Sequence, residues 1–250
     1  SLAKQYNLSI IEDAAHALGA SYEDGSKVGC CKYSDITGFS FHPVKSIATG
    51  EGGMITTNNK KIYKNLLRLR SHGINKKSDT LVNKTLGYTD GKPNPWYYEM
   101  QQLGFNYRIT DIQCALGISQ LKKLPKFLKK RRELVEKYDE SFSGMKHIVP
   151  IQVNQRKGSS NHLYVVRINF KKANISRMEF MNSFIEKNIY TQVHYMPIVM
   201  HPYYRSLGYT SSNLEKALKY YEECISLPLF YSLTTSDQSR VIAFVKEHIS

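Results

Sequence analysis

No stretch of this sequence is apolar for long enough to cross a bilayer as a helix, which takes about 20 residues. The opening residues, SLAKQYNLSIIEDAAHA, lack the basic, apolar and small-residue zones of a secretory signal. They read as a helix end running straight into a strand, as if the chain starts mid-domain. Cysteine is sparse: Cys30, Cys31, Cys114 and Cys224 are the only four in 250 residues. Adjacent Cys30 and Cys31 cannot easily bond each other, and no C-x-x-C spacing offers a zinc site. No disulfide framework is needed at this size, no metal is expected, and reduced thiols in a cytoplasmic chain are the expectation. Acidic residues are scarce as well, 21 against 35 Lys and Arg, for a formal charge of +14. That balance favours anionic partners: phosphates, nucleotides, anionic metabolites or nucleic acid. No RNP, KH, zinc-finger or basic-zipper pattern accompanies it, so a nucleic-acid binder is the second class of reading. The densest basic run, KKLPKFLKKRR (122–132), reads as a solvated helix face.

What is present is a globular composition, 41% hydrophobic and 22% charged, and a sequence of elements. Leu8 to Glu12 reads as a buried strand ending at Asp13, with a functional carboxyl edge. Ile36 to Phe41 and Met54 to Thr57 read as further strands, separated by the glycine-rich TGEGG (49–53). Asn59 to Ser71 turns helical, with Ile62, Leu66 and Leu69 on one face. Ser78 to Met100 reads as a long polar loop. Thr110 with Gln113 forms a capping box for a helix through Ile112, Leu116 and Leu124, which must bend, stop or restart at Pro125. Beyond residue 130 strands and helices alternate. His162–Phe170 and Ile189–Tyr195 read as strands. Ser176 with Glu179 caps a helix through Met178, Met181 and Ile185, and Thr235 with Gln238 caps a last one through Val241, Phe244 and Val245.

Three clusters carry the chemistry. Asp13-Ala14-Ala15-His16 closes the first strand, where an acid is either a helix N-cap or a ligand-facing carboxylate. Ser40-Phe41-His42-Pro43-Val44-Lys45 precedes the TGEGG turn. A lysine there is a surface residue unless the serine hydroxyl holds a phosphate while the amine reaches a carbonyl carbon. The glycines let backbone come close to a ligand. Gly104 to Asp111 (GFNYRITD) is a polar turn before a capped helix.

Four blocks, IEDAAHALGA (11–20), FSFHPVKSIATGEGGMITT (39–57), LRSHG (69–73) and LGFNYRITDIQCALGISQL (103–121), together resemble the DegT/DnrJ/EryC1/StrS sugar aminotransferases. These are pyridoxal-phosphate (PLP) enzymes of fold type I. SSNHLY (159–164), TQVHYMPI (191–198) and ISLPLFYSLT (225–234) look closer to one branch, the 4-aminotransferases of the pseudaminic acid pathway. The resemblance implies an α/β chain in two parts. Residues 1–128 would be the C-terminal part of the PLP-binding large domain, a mixed sheet with helices, and residues 129–250 a small α+β domain.

It also implies roles. Asp13 matches the acid that keeps the PLP pyridine nitrogen protonated. His16 matches a position near the PLP 3-oxygen, with a structural hydrogen bond as its plain alternative. Ser40 matches the phosphate-binding serine, and Lys45 the Schiff-base lysine that becomes general base and acid once displaced. Asn106 matches a residue reaching the cofactor phosphate of a second subunit, which implies a homodimer with shared sites. Arg108 would support that loop or bind an anionic group. His194 and Tyr195 fall where the family binds sugar, with core packing as their alternative. Tyr203, Tyr204, Tyr220 and Tyr221 carry no motif and read as packing or interface residues.

The expected activity is transfer of an amino group, with L-glutamate as donor, to a UDP-linked 4-keto-6-deoxy sugar. Lys45 argues against the family's dehydratases, which carry histidine there. Family members carry a long segment ahead of the IEDAAHA block, with a phosphate-binding turn and a ring that stacks on the cofactor. Without it, exposed apolar strand edges and weak PLP binding by this chain alone are expected. A remnant serving as a dimerisation or binding module is the alternative.

Overall fold

The computed structural model describes residues 2–77, 80–151, 154 and 156–249. The chain divides into two compact units, Ser1–Lys123 and Leu124–Ser250.

After a short helix, α1 (Leu2–Gln5), the first unit opens with β1 (Ile11–Asp13). This strand pairs in parallel with β2 (Ile36–Ser40), which pairs antiparallel with β3 (Gly53–Thr56), giving the order β1-β2-β3. Register sets the faces, because paired residues point the same way and alternate along each strand. Glu12 and Thr37 share one face. There the Glu12 carboxylate accepts from Tyr22 Oη at 2.6 and 2.7 Å and from Thr37 Oγ1 at 3.0 Å. Desolvation, then the hydrogen bond to Glu12, pushes the Tyr22 phenol well above its ordinary value. The expected burial of the first strand is overturned: Ile11 is 73% exposed, because its side chain lies on the same open face as Asp13 and, among the described residues, β1 pairs with β2 alone.

Helix α2 (Lys60–Leu69) begins where the Asn59 side chain accepts from the amides of Lys61 (2.9 Å) and Ile62 (3.2 Å). The segment read as a long loop is built rather than bare, although Ser78 and Asp79 lie outside the described residues. Strand β4 (Ile74–Asn75) precedes helix α3 (Lys84–Gly87), and β5 (Tyr88–Thr89) with β6 (Lys92–Pro93) makes a hairpin on the Asp90-Gly91 turn. Strand β7 (Glu99–Met100) returns to pair with β4.

Helix α4 (Asp111–Phe142) starts on the expected box, Thr110 N to Gln113 Oε1 at 3.0 Å and Gln113 N to Thr110 Oγ1 at 3.3 Å. It does not break at Pro125. Proline's φ suits a helix, the ring is exposed, and the lost N–H is one bond in a 32-residue element. Its early apolar residues are exposed instead of packed, Ile112 at 84% and Ile118 at 59%.

In the second unit β8 (Ile148–Pro150), β9 (Tyr164–Ile168) and β10 (Cys224–Leu227) form an antiparallel sheet in the order β10-β9-β8. Its core gathers Val135, Tyr138 and Phe142 of α4, Phe180 and Phe184 of α5 (Arg177–Glu186), and Val241, Val245 and Ile249 of α8 (Thr235–Ile249). The α5 capping box at Ser176 and Glu179 is present, but Met178 and Ile185 face out at 70% and 49% exposure while the phenyl rings face in. The α8 cap lies one residue earlier than expected: Asp237 N donates to Thr234 Oγ1 at 3.0 Å. Gln238 is buried and gives its Nε2 to the Leu134 carbonyl at 2.6 Å. Ile189–Tyr195 is not a strand; only Gln192 bridges to Ser226, both of its backbone groups bonding there. A 3-10 turn (Ile198–Met200) and helices α6 (Pro202–Ser206) and α7 (Glu215–Glu223) lead into β10. The basic run is not wholly solvated either, since Arg131 is 6% exposed and its Nη1 donates to the carbonyls of Asn161, His162 and Leu229. No helix among the described residues is long and apolar enough to cross a membrane.

Candidate active site

The face of the first sheet opposite Glu12 and Thr37 carries Asp13, Gly38 and Ser40. Asp13 ends β1 in register with Gly38, and Ser40 lies two residues further along β2 on the same side. A Cβ added to Gly38 would meet nothing nearer than Glu12 O at 4.0 Å, so this face is open between the acid and the hydroxyl. Asp13 is exposed; its Oδ1 accepts from Ala15 N at 3.0 Å, while its Oδ2 has no partner among the described residues. His16 is exposed in the turn that follows, where Ala17 N bonds Ala14 O.

Past Ser40 the chain leaves the sheet in a closed loop. Phe41 N donates to Gly52 O at 2.8 Å and Thr49 N to Phe41 O at 3.0 Å, which ties the two ends together. Inside it Lys45 N donates to His42 O at 2.9 Å, forming a tight turn. The Lys45 side chain is half-buried, and its Nζ makes no hydrogen bond or ion pair among the described residues. A side chain at Gly52 would be strained, since φ is +154° and a Cβ would stand 2.5 Å from Thr49 Oγ1.

Asn106 and Arg108 sit on a segment laced to the end of α2. Phe105 N donates to Leu69 O (2.6 Å), His72 N to Phe105 O (2.8 Å) and Tyr107 N to Arg70 O (2.9 Å). The same segment touches the lysine loop: Ile109 Cδ1 packs at Gly52, and Gln113 Nε2 donates to Glu51 O at 3.0 Å. Asp13, Ser40 and the Lys45 loop are thus joined by sheet register, and Asn106 and Arg108 by this lacing. Both are exposed.

His194 and Tyr195 belong to the second unit. His194 is half-buried, with Nδ1 at 2.6 Å from Ser226 Oγ and its carbonyl accepting from Tyr220 Oη at 3.1 Å. Tyr195 is 61% exposed and meets the His194 ring edge-on at 4.5 Å.

The donor set suits PLP: a carboxylate for a pyridinium N–H, an unengaged amine for an aldehyde and a hydroxyl for a phosphate, around a face left bare at Gly38. No group of three or more His, Cys, Asp or Glu among the described residues is placed to hold a metal ion. Sequence reasoning passed over Glu12, whose buried network backs the strand bearing Asp13. It also passed over the cations of α2, although Lys60, Lys64 and Arg68 recur every four residues on one helix face.

Comparison with known proteins bears on the family and the fold. Over 247 residues the chain is 38% identical to the UDP-4-amino-4,6-dideoxy-N-acetyl-beta-L-altrosamine transaminase of Campylobacter jejuni, covering 99% of this chain and 59% of that protein. A Helicobacter pylori aminotransferase involved in the biosynthesis of pseudoaminic acid superposes with a TM-score of 0.86 at 32% identity, over 99% of this chain and 61% of that one. The PMP form of a putative sugar aminotransferase from Streptococcus pneumoniae gives a TM-score of 0.82 at 30% identity, over 99% and 60%. The chain spans about three-fifths of the curated relatives it matches. The α/β fold is that of these aminotransferases, and residues 1–246 match the profile of the DegT/DnrJ/EryC1/StrS aminotransferase family, to which the chain belongs.

Proposed function

We propose that this chain supplies the lysine-bearing part of a PLP-dependent aminotransferase acting on a UDP-linked 4-keto-6-deoxy sugar. L-glutamate would be the amino donor, and the 4-amino product would serve surface glycan or nonulosonic acid synthesis. The observation that carries this reading is the open Asp13–Gly38–Ser40 face with Lys45 in the loop leaving it. In this reading residues 1–128 are part of the cofactor-binding domain and residues 129–250 the small domain.

Bound PLP supplies an electron sink for the charge left when a substrate carbon loses its proton. Asp13 holds the ring nitrogen protonated by its negative charge. Lys45 Nζ would hold the cofactor and, once displaced, would serve as general base and acid, moving a proton between two carbons. Ser40 would donate to the phosphate, and His16 would serve the ring oxygen. Asn106 reaches the site of a second copy, with Arg108 beside it. The exposed Ile112, Leu116, Ile118 and Leu121 of α4 support a homodimer. His194 and Tyr195 are assigned to sugar contact, and the enzyme to the cytoplasm.

The test is incubation of the chain with PLP, borohydride reduction and peptide mass spectrometry. The label is expected on Lys45 ahead of every other lysine, and to vanish in Lys45→Ala. A label spread over surface lysines with Lys45 unmodified would sink the proposal. Amination of a UDP-4-keto-6-deoxy sugar with glutamate, read by mass, tests the substrate.

A further inference from the structure

The loop that carries Lys45 is a ring closed on itself. Phe41 N donates to Gly52 O at 2.8 Å and Thr49 N to Phe41 O at 3.0 Å, and Lys45 lies between these closures with its own amide on His42 O. At its first end the ring is fixed by the sheet, since Phe41 follows β2 directly and is buried. Its far end is Thr49-Gly50-Glu51-Gly52, where Gly50 and Gly52 hold φ at +83° and +154°. The two glycines offer no side chain to anchor that end, and the Glu51 side chain is 76% exposed.

The Glu51 carbonyl is what anchors it. This oxygen accepts from Thr49 Oγ1 at 2.6 Å, inside the ring, and from Gln113 Nε2 at 3.0 Å, in the first turn of α4. The other half of the same amide belongs to the helix: Gln113 Oε1 accepts from Thr110 N and Thr110 Oγ1, both at 3.0 Å. One side chain thus starts α4 with its oxygen and holds the lysine ring with its nitrogen. Nearby contacts press the two surfaces together without directing them. Ile109 Cδ1 lies 3.3 Å from the place of a Cβ on Gly52, and one on Gly117, a helical turn beyond Gln113, would meet the Thr49 methyl at 3.1 Å. Apolar packing of this kind is non-directional, whereas a hydrogen bond weakens steeply once its angle is lost.

We propose that Gln113 is a positioning residue for Lys45, fixing the ring through the Glu51 carbonyl in one place relative to the Asp13–Gly38–Ser40 face. The inference rests on the reading of Lys45 as the cofactor lysine. It makes the placement of that lysine depend on where α4 starts, and so on the Asn106–Arg108 segment that leads into the helix. Gln113 acts through Glu51 and the ring and touches no reacting atom.

Gln113→Glu separates the two halves of the side chain, because a carboxylate keeps the acceptor for Thr110 and has no N–H for Glu51. Helix α4 is expected to keep its start, where an acid is favoured by the helix dipole, and the urea midpoint to stay unchanged. Two measurements follow the ring. In the PLP-free chain, hydrogen exchange at the Phe41 and Thr49 amides is expected to quicken by about tenfold, the scale of one lost hydrogen bond, while the β2–β3 ladder keeps its rates. After incubation with PLP and borohydride reduction, labelling of Lys45 relative to the other lysines is expected to fall by about tenfold. Thr110→Val is the converse variant: it weakens the cap, lowers the urea midpoint and should leave Lys45 labelling within about twofold. Unchanged exchange and labelling in Gln113→Glu, faster exchange with unchanged labelling, or an equal loss of labelling in Thr110→Val would each overturn the positioning role. The two readings fail separately. A wild-type chain with no preference for Lys45 removes the cofactor reading, and the tie between Gln113 and the ring is then decided by exchange alone. A wild-type chain that labels Lys45, with Gln113→Glu indifferent in both measurements, removes the positioning role alone.

Discussion

Gly73 and Gly104 meet backbone to backbone: a Cβ on Gly104 would stand 2.1 Å from Gly73 N, and one on Gly73 1.7 Å from the Gln102 carbonyl oxygen. Gly73 also holds φ at +69°, a region costly for residues with a side chain. This contact is what lets the Asn106 segment lie against the end of α2. Gly104→Ala is expected to cost at least about 2 kcal/mol in urea unfolding, because backbone rather than a movable side chain blocks the new methyl. An unchanged urea midpoint would contradict the packing.

Arg131 ties three turns of the second unit. Its Nη1 donates to Asn161 O (3.3 Å), His162 O (3.0 Å) and Leu229 O (3.0 Å), and burial lowers its pKa from the ordinary arginine value. Arg131→Met leaves those carbonyls without a charged donor and is expected to lose about 2–4 kcal/mol. Arg131→Lys should recover part of that in thermal unfolding.

Glu99 accepts from Val82 N at 2.6 Å, Gln101 Nε2 at 2.6 Å, Asn83 N at 3.1 Å and Tyr97 Oη at 3.0 Å. These bonds, the Val82 amide foremost, hold its carboxyl at about 2 instead of 4.5. A depressed acid stabilises the fold above its unfolded pKa and ceases to as pH falls through the folded one. Stability owed to Glu99 is therefore full above about 4.5 and lost as pH falls towards about 2. The Val82 amide NMR shift should titrate with that low midpoint, and Glu99→Gln should abolish the titration.

Asp13→Asn keeps an acceptor for the Ala15 amide but removes the negative charge. Stability is expected to stay within about 0.5 kcal/mol, as for an exposed site. Aminotransferase activity should fall by about 10²-fold or more, the scale of a lost electrostatic contribution to proton transfer. A variant with unimpaired turnover would remove Asp13 from the cofactor role.

The family was legible because four sequence blocks stand in its order, and the candidate site follows from that resemblance: alone, Asp13 at a strand end reads equally as a helix cap and Lys45 before glycines as a surface residue. The capping boxes at Thr110 and Ser176 were readable because each is a contact three residues long. What failed depended on neighbours distant in the chain. Whether Ile11 is buried depends on what packs over the face it shares with Asp13. Whether Met178 or Phe180 faces inward depends on α8, whose Phe244 and His248 rings pack against Phe184 and Phe180. Thr235 and Thr234 are equally good caps alone; burial of Gln238 against Leu134 chooses between them. Arg131 looked like one charge in a basic run because its three acceptors lie 30 to 98 residues away.

The pairing of β1 bears on handling this chain. Among the described residues β1 pairs with β2 alone, and the other edge of the strand, beside Ile11, is a template onto which another strand can add. Against that stands the +14 charge, which keeps copies apart by long-range repulsion. Salt removes the repulsion, with a screening length of about 8 Å at physiological ionic strength, and leaves the edge untouched. The chain's colloidal stability is therefore greatest in dilute buffer and declines as salt is added.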